Sequence, residues 1–454
     1  MIPNKLRYGT KVESAPARSF KTNIQPQNGT GPYGLGSVMY FNIPTRSNLF
    51  MASTENYMRF DFKYKNTSGN AASARWDSCG AHGLIQRIRV FHGSNLLEDI
   101  DNYGLLAKML YDTQVHTDAT YGKFNILAGT RNDLYVDLSA GATTALYSTA
   151  VQANSGEIIA SALPNGDYST SRTYCLNLIS IVGSLCSDKY FPLFACTSAP
   201  LRVEVWLVDS INKCMCVNGT GEIELKNVEF VSNTIEVSDD AMGIITSSLG
   251  GNPLQFVVPS YRNYGWSSVT INNNDSPQIN MPIPAKFSSV KSLFVCMRDK
   301  GLGANNVYPF SCVSLDFIDY YFRVGSLIMP PKYPYSTTEA FAELMKAIGS
   351  ISDLNHTPSI ELASYTLKTT PTASTDILKA STNSGSFFIG LDLENYVGAN
   401  KDAIFAGYNT NTDDIYFVYD VKNTSGAAVN PRFDSYALFD NLLVFTDGTV
   451  FAKF

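Results

Sequence analysis

The chain has 454 residues, more than one ordinary domain and suited to two of about 200 each. Its 34 basic and 40 acidic groups give a formal charge of -6, so the folded body has no general electrostatic attraction for nucleic acid, and no sequence-specific nucleic-acid binding is expected. Hydrophobic residues make up 44% and charged residues only 16%, against about 25% charged in typical domains; with 26 Tyr, 26 Phe and many Asn, Ser, Thr and Gly, this composition predicts an all-β protein with large buried surfaces.

In chain order, the first feature is basic. Lys5, Arg7, Lys11, Arg18 and Lys21 face a single acid, Glu13, within a Pro-, Asn- and Gly-rich stretch, which reads as a flexible basic arm over residues 1–36. The opening Met-Ile-Pro-Asn-Lys lacks the apolar region of a secretory signal, and synthesis in a cytosol-like compartment is expected.

Phe41-Asn-Ile-Pro44 precedes a strand over Tyr57 to Lys65. An alternating strand from Leu84 ends at Gly93-Ser94 and leads into a helix from about Asp101 to Tyr111. A polar excursion, Thr113 to Ser171, separates these from strands at Tyr174–Leu178, Val203–Asp209 and Glu222–Val231. The same order then recurs. Met281-Pro-Ile-Pro284 precedes a strand over Val290 to Arg298, and a strand from Leu315 ends at Gly325-Ser326. A helix over Thr337 to Ile348 opens on Ser336-Thr-Thr-Glu339, a pattern in which side chains satisfy the free amides of a first turn. Phe341, Leu344, Met345 and Ile348 give that helix one apolar face. After an excursion over Ser352 to Ser384, strands at Phe387–Leu391, Ile415–Val421 and Tyr436–Phe445 close the second half.

Five matched features in the same order indicate an internal duplication with a boundary in Ser238 to Gly251. The pairs include Gly93 with Gly325, Leu178 with Leu391, and Asn227 with Asn441. About eight strands per half fit two consecutive jelly rolls, the first over 37–245 and the second over 246–454, with short surface helices and long loops.

Chemistry is sparse. The four histidines (His82, His92, His116, His356) fall at no metal spacing, and no nucleophile or phosphate-loop motif occurs, so no catalytic, cofactor or metal residues are assigned. Asp316 with Asp319, and Asp413 with Asp414, are sequence neighbours on or beside strands rather than acids facing across a cleft. The eight cysteines read as free, buried thiols. Six Asn-x-Ser/Thr sequons (Asn28, Asn66, Asn218, Asn274, Asn355, Asn423) read as a product of composition.

The run Leu84-Ile-Gln-Arg-Ile-Arg-Val-Phe-His-Gly-Ser-Asn-Leu-Leu-Glu-Asp-Ile-Asp-Asn-Tyr103 resembles the strand-and-helix segment of double jelly-roll major capsid proteins. The likeness is greatest to those of polinton-like viruses and virophages, in the lineage of adenovirus, tectivirus-like phages and large algal viruses. The resemblance implies a non-enzymatic capsid protein of the virion, assembling as homotrimeric, pseudo-hexagonal capsomers into an icosahedral shell. Its implied partners are itself, neighbouring capsomers, minor capsid or penton proteins and, as a further contact, an internal membrane. Lys5, Arg7, Lys11, Arg18 and Lys21 would then lie beneath the shell. Two other readings stand beside it: a jelly-roll carbohydrate-binding or host-attachment virion protein, and a two-sandwich glycan hydrolase.

Overall fold

In a computed structural model, residues 17–130, 156–300, 308–349, 351–352, 358–370, 384–395 and 406–454 are described. The first half carries β1 (Ala17–Ile24), β2 (Val38–Ile43), β3 (Leu49–Met51), β4 (Tyr57–Asn66), β5 (Ala72–Arg75), β6 (Ile85–His92) and β7 (Asn95–Asp101). Three helices follow, α1 (Tyr103–Gln114), α2 (Thr117–Tyr121) and α3 (Lys123–Ala128), and then β8 (Ile158–Leu163), β9 (Arg172–Leu176), β10 (Leu201–Leu207), β11 (Cys216–Val217) and β12 (Gly221–Val237). Helix α4 (Asp239–Ser248) links the halves. The second half has β13 (Leu254–Ser267), β14 (Gln278–Ile283), β15 (Val290–Asp299), β16 (Asp316–Val324) and β17 (Leu327–Met329). It continues through α5 (Thr337–Ile348), α6 (Leu362–Tyr365), β18 (Phe388–Asp392), β19 (Ile415–Lys422), β20 (Pro431–Thr446) and β21 (Thr449–Lys453).

The pairing repeats strand for strand. In the first half β1-β12-β4-β9 form one sheet and β2-β10-β6-β7 the other; in the second, β13-β20-β15-β18 face β14-β19-β16-β17. All named pairs in these sheets are antiparallel. Each half is therefore an eight-stranded jelly roll, as the sequence pattern predicts. β3 and β21 attach to β12 and β20 at matching places, and β11-β5-β8 make a small extra sheet on the first roll.

Local chemistry explains the strands. In β4, Met58, Phe60, Phe62 and Tyr64 point inward and alternate with Arg59, Asp61, Lys63 and Lys65. Pro259 and Pro282 lie in β13 and β14, which are edge strands in their sheets, where a missing N–H is tolerated. At the two Gly-Ser hairpins Gly93 and Gly325 have φ of +59° and +58°, a left-handed conformation that glycine adopts without cost from a Cβ. Helix α5 starts as its sequence predicts, with Ser336 Oγ accepting from Glu339 N at 3.2 Å; the returning Glu339 carboxylate accepts from Tyr335 N, one residue before the cap. Helix α1 begins two residues after its expected start and runs three residues past its expected end.

Three sequence expectations change. The composition predicts a flexible arm over residues 1–36, yet residues 17–24 form β1, paired along its full length with β12. Backbone bonds to β12 and the inward Phe20 and Ile24 hold this stretch in the sheet despite its basic composition. The matched strands are correct as elements, but the residue register of the later ones is not. Ile415 pairs with Ile283 and Val324 where Leu201 pairs with Ile43 and His92, so Ile415 corresponds to Leu201 rather than Val203. Asn227 sits at a bulge of β12 with φ +49°, whereas Asn441 lies in a regular part of β20. Finally, the excursion from Thr113 to Ser171 is not all loop, since it contains α2, α3 and β8; residues 131–155 of it lie outside the described residues.

All eight cysteines are free, seven of them buried and Cys175 half-buried. A single apolar cluster runs through both rolls. No helix among the described residues is long and apolar enough to cross a membrane.

Candidate assembly surfaces and the junction between the rolls

Edge strand β7 of the first roll lies against β13 and β21 of the second, and Asn441 of β20 reaches it with a hydrogen bond. Four consecutive residues of β7, Leu97 to Ile100, are buried, where the alternation of an edge strand in a free roll would leave every second one open. The contacts are specific. Asn441 Nδ2 donates to the Leu97 carbonyl at 2.9 Å, Asn95 Nδ2 to the Val450 carbonyl at 3.2 Å, and the Val450 N–H to His92 Nδ1 at 3.3 Å. Phe191 from the first roll packs edge-on against Phe256 and Phe445, which stack on each other at 5.7 Å.

Two acids of β7 face the second roll in opposite electrostatic settings. Glu98 accepts from the Ser180 hydroxyl, from Ile181 N at 3.0 Å and from the Ser260 hydroxyl at 3.2 Å. Burial raises its pKa to about 7, with these hydrogen bonds opposing and the Asp99 charge adding to the rise. Asp99 is also pushed up by burial, but the hydrogen bonds and charge of Arg87, together with Arg262 and Arg89, outweigh that and hold it below the usual carboxylate range. Arg262 comes from β13, 3.5 Å away across the junction.

A second polar cluster lies beneath α1. Lys108 is fully buried, with Nζ 3.0 Å from Asp112, 3.5 Å from Asp77 and 2.8 Å from Ser78 Oγ. Both carboxylates reach the second roll: Ser384 Oγ and the Phe310 N–H donate to Asp77, and Ser386 Oγ donates to Asp112 at 2.8 Å. Burial alone would lower the Lys108 pKa, but the two carboxylates reverse the direction and keep it charged. Beside it the ring of Phe310 fits where Gly83 and Gly104 have no side chains; a Cβ on Gly104 would come within 2.7 Å of it. Tyr436 adds a hydrogen bond from its hydroxyl to the Asn102 carbonyl at 2.8 Å. His82 is buried between the hydroxyls of Tyr103 and Tyr111, and burial lowers its pKa to about 3, so it stays neutral.

No protein-family model matches the sequence, and no curated protein matches it. Solved structures do match. VP54 of PBCV-1, fitted into a reconstruction of the virophage Sputnik, superposes with a TM-score of 0.62 at 8% identity over 99% of this chain and 100% of that one. The Sputnik virophage structure matches with 0.62 at 10% identity over 100% and 92%, and the mavirus major capsid protein with 0.57 at 11% identity over 100% and 93%. The chain has the double jelly-roll fold of these virus proteins.

Within this double jelly roll the candidate residues fall into separate places. Arg18 and Lys21 lie on β1; Arg18 is exposed and 3.7 Å from Glu236, while Lys5, Arg7 and Lys11 lie outside the described residues. The considered acids are not gathered in a cleft. Asp316 bonds Lys368 and Thr424, Asp319 faces Asp420 across β16 and β19, Asp413 accepts from Tyr408 at 2.8 Å, and Asp414 pairs with Lys286 at 2.8 Å. Two sequons serve as turn caps: Asn66 and Asn423 are fully buried, and sequon Asn355 lies outside the described residues.

The surface of the double jelly roll is uneven. The second roll's counterpart of β7 is β17, where Leu327 is 47% and Ile328 42% exposed. Tyr333 and Tyr335, a few residues further along the chain, are exposed as well. The counterpart of α1, which is buried nearly throughout, is α5, where only Ala340, Leu344 and Ala347 are buried. Sequence reasoning missed this strip because Leu-Ile-Met reads like any short strand.

Proposed function

We propose that the chain is a major capsid protein, the repeating unit of an icosahedral virus shell, and that three copies join into a pseudo-hexagonal capsomer of six jelly rolls. The observation that carries this reading is the double roll itself: two sandwiches of one topology, locked by a buried junction into a rigid tile. Three such tiles offer six similar walls to their neighbours, so one gene product can pave a surface. The fold likeness to virus capsid proteins over nearly the whole chain supports it. So does the low charge, which suits large permanent interfaces.

In this reading the chain works by self-association within the virion and catalyses nothing. Residues Lys5, Arg7, Lys11, Arg18 and Lys21 contribute contacts on the inner side, to neighbouring capsomers, minor capsid or penton proteins, or a lipid layer. Native mass spectrometry and negative-stain imaging of the purified protein test the proposal. The expected result is a three-chain particle of hexagonal outline, or closed shells; a stable single chain at every concentration tried would overturn it.

A further inference from the structure

The two rolls cover their matching end strands, β9 and β18, in different ways. In the second roll α5 lies flush on β18, so close that a Cβ on Gly390 would come within 2.9 Å of the Leu344 Cα. In the first roll α1 packs against β6 instead, and the six-residue α3 is the helix that lies against β9. Only Ala128 of α3 is buried, and its Phe124 rests edge-on against Tyr111 of α1, with ring centroids 4.9 Å apart. A half-open cavity of about 350 Å³ is left between α1, α3 and the end of β9.

This cavity has apolar walls and one charge. Leu110, Val115 and Phe124 pack against the core yet stay only partly buried, and with Leu127 and Ile179 they line the space. The polar groups of its inner side are committed elsewhere. His82 is held between the hydroxyls of Tyr103 and Tyr111 and is neutral, while Asn177 Nδ2 donates to the Thr54 carbonyl at 3.0 Å and the Asn56 carbonyl at 2.6 Å. At the edge stands the exposed Lys123, its Nζ 5.3 Å from the Phe124 ring centroid and without an ion pair among the described residues. No Asp or Glu is among the described residues that line the cavity, so nothing there repels an anion. An apolar cavity of about 150 Å³ takes up benzene. This one has room for a longer body and falls within the range of about 300–1,000 Å³ usual for ligand sites.

We propose that the cavity binds an amphipathic anion, a medium-chain carboxylate whose tail lies among Leu110, Val115, Phe124, Leu127 and Ile179 and whose head pairs with the Lys123 ammonium. The walls offer the tail dispersion contacts and ask for no hydrogen bond, and the lone cation selects the head through a charge-assisted bond. An occupant also braces the junction of the rolls, because α1 forms one wall and the Tyr111 carbonyl accepts from Ser359 Oγ of the second roll at 3.1 Å. The site does not depend on the capsid reading.

Cys175 supplies the readout, since it lines the cavity and is half-buried while the other seven cysteines are buried. The full-length chain, stripped of bound lipid on a hydrophobic resin, is alkylated with N-ethylmaleimide in the presence of decanoate or decylamine, each below its micelle-forming concentration. Decanoate should slow alkylation of Cys175, followed by peptide mass mapping, roughly tenfold at ten times its dissociation constant, and should raise the melting temperature. Decylamine should do neither. Lys123→Glu should abolish the decanoate effect and admit decylamine in its place, and Leu127→Trp should fill the cavity and abolish protection by either. Melting curves without ligand establish that the variants are folded, and Lys123→Glu, being on the surface, carries the test if Leu127→Trp unfolds. An unchanged alkylation rate with decanoate overturns the site. Equal protection by the two amphiphiles, or decanoate protection that survives Lys123→Glu or a folded Leu127→Trp, overturns it as well.

Discussion

The Ser260 hydroxyl of the second roll donates to Glu98 Oε1 of the first at 3.2 Å, in a place that water does not reach. Burial raises the Glu98 pKa to about 7, so the folded chain favours its neutral form. The sign follows from linkage: for a carboxyl whose folded pKa lies above its unfolded value, stability is greatest below the unfolded value near 4.5 and is lost as pH rises towards about 7. The loss is on the order of 3 kcal/mol. Glu98→Gln keeps an acceptor for Ser180 and Ile181 and offers a donor to Ser260 without ever charging. Denaturant unfolding at pH 5 and pH 8 should show the variant gaining on the parent at pH 8, with the difference shrinking at pH 5. Equal differences at both pH values would refute the assignment.

Lys108 tests the other cluster. Removing its charge with Lys108→Met leaves Asp77 and Asp112 facing each other in a buried site and should cost about 3–5 kcal/mol, seen as a large drop in melting temperature. Adding Asp77→Asn and Asp112→Asn should recover much of that loss, because the penalty lies in the unpaired charges. If the triple variant is no better than the single one, the cluster acts through shape rather than charge.

What the sequence reveals here depends on how local the cause is. Helix α5 is legible because its cap and its apolar stripe fall within thirteen residues, Ser336 to Ile348. The Gly-Ser hairpins are legible because the turn demands glycine at one position. β1 is not, since its strand character comes from bonds to β12, more than two hundred residues away, and its Arg and Lys content points to an arm. Strand register is lost because Val, Ile and Tyr fill every strand alike, so Asn227 and Asn441 match in sequence while one lies at a bulge and the other in a regular stretch. The junction is the least legible of all. Glu98, Ser260 and Arg262 carry no spacing that links them, and only the folded pair of rolls brings them together.

Gly104 gives a prediction that runs against helix propensity. Alanine in place of glycine inside a helix ordinarily stabilises by about 1 kcal/mol. In α1 the added Cβ would meet the Phe310 ring at 2.7 Å, so Gly104→Ala should destabilise instead, by about 1–3 kcal/mol. Phe310→Leu also destabilises alone, by opening space at the junction. Combined, the two should cost less than their sum, and a double-mutant cycle measured by unfolding would show that coupling. Strict additivity would mean that the ring and the helix do not contact.

The tetrapeptide Asn-Thr-Ser-Gly occurs at 66–69 and again at 423–426, and both copies build the same turn. Asn66 Oδ1 accepts from the N–H and the hydroxyl of Ser68, while its Nδ2 donates to the carbonyls of Asn70 and Leu163. Asn423 does the same with Ser425, Ala427 and Ile271. The amide is needed at both ends, as acceptor and as double donor. Asn423→Asp would keep the acceptor but set a carboxylate against two carbonyl oxygens with no water between them. The expected cost is about 1–3 kcal/mol or more at pH 7, falling as the pH drops and the acid gains a proton that it can donate. Asn66→Asp should follow the same course. The difference in unfolding free energy from the parent, followed from pH 7 to pH 4, checks both. A cost that does not diminish on acidification would show that the amide's two donated bonds matter less than the space the side chain fills.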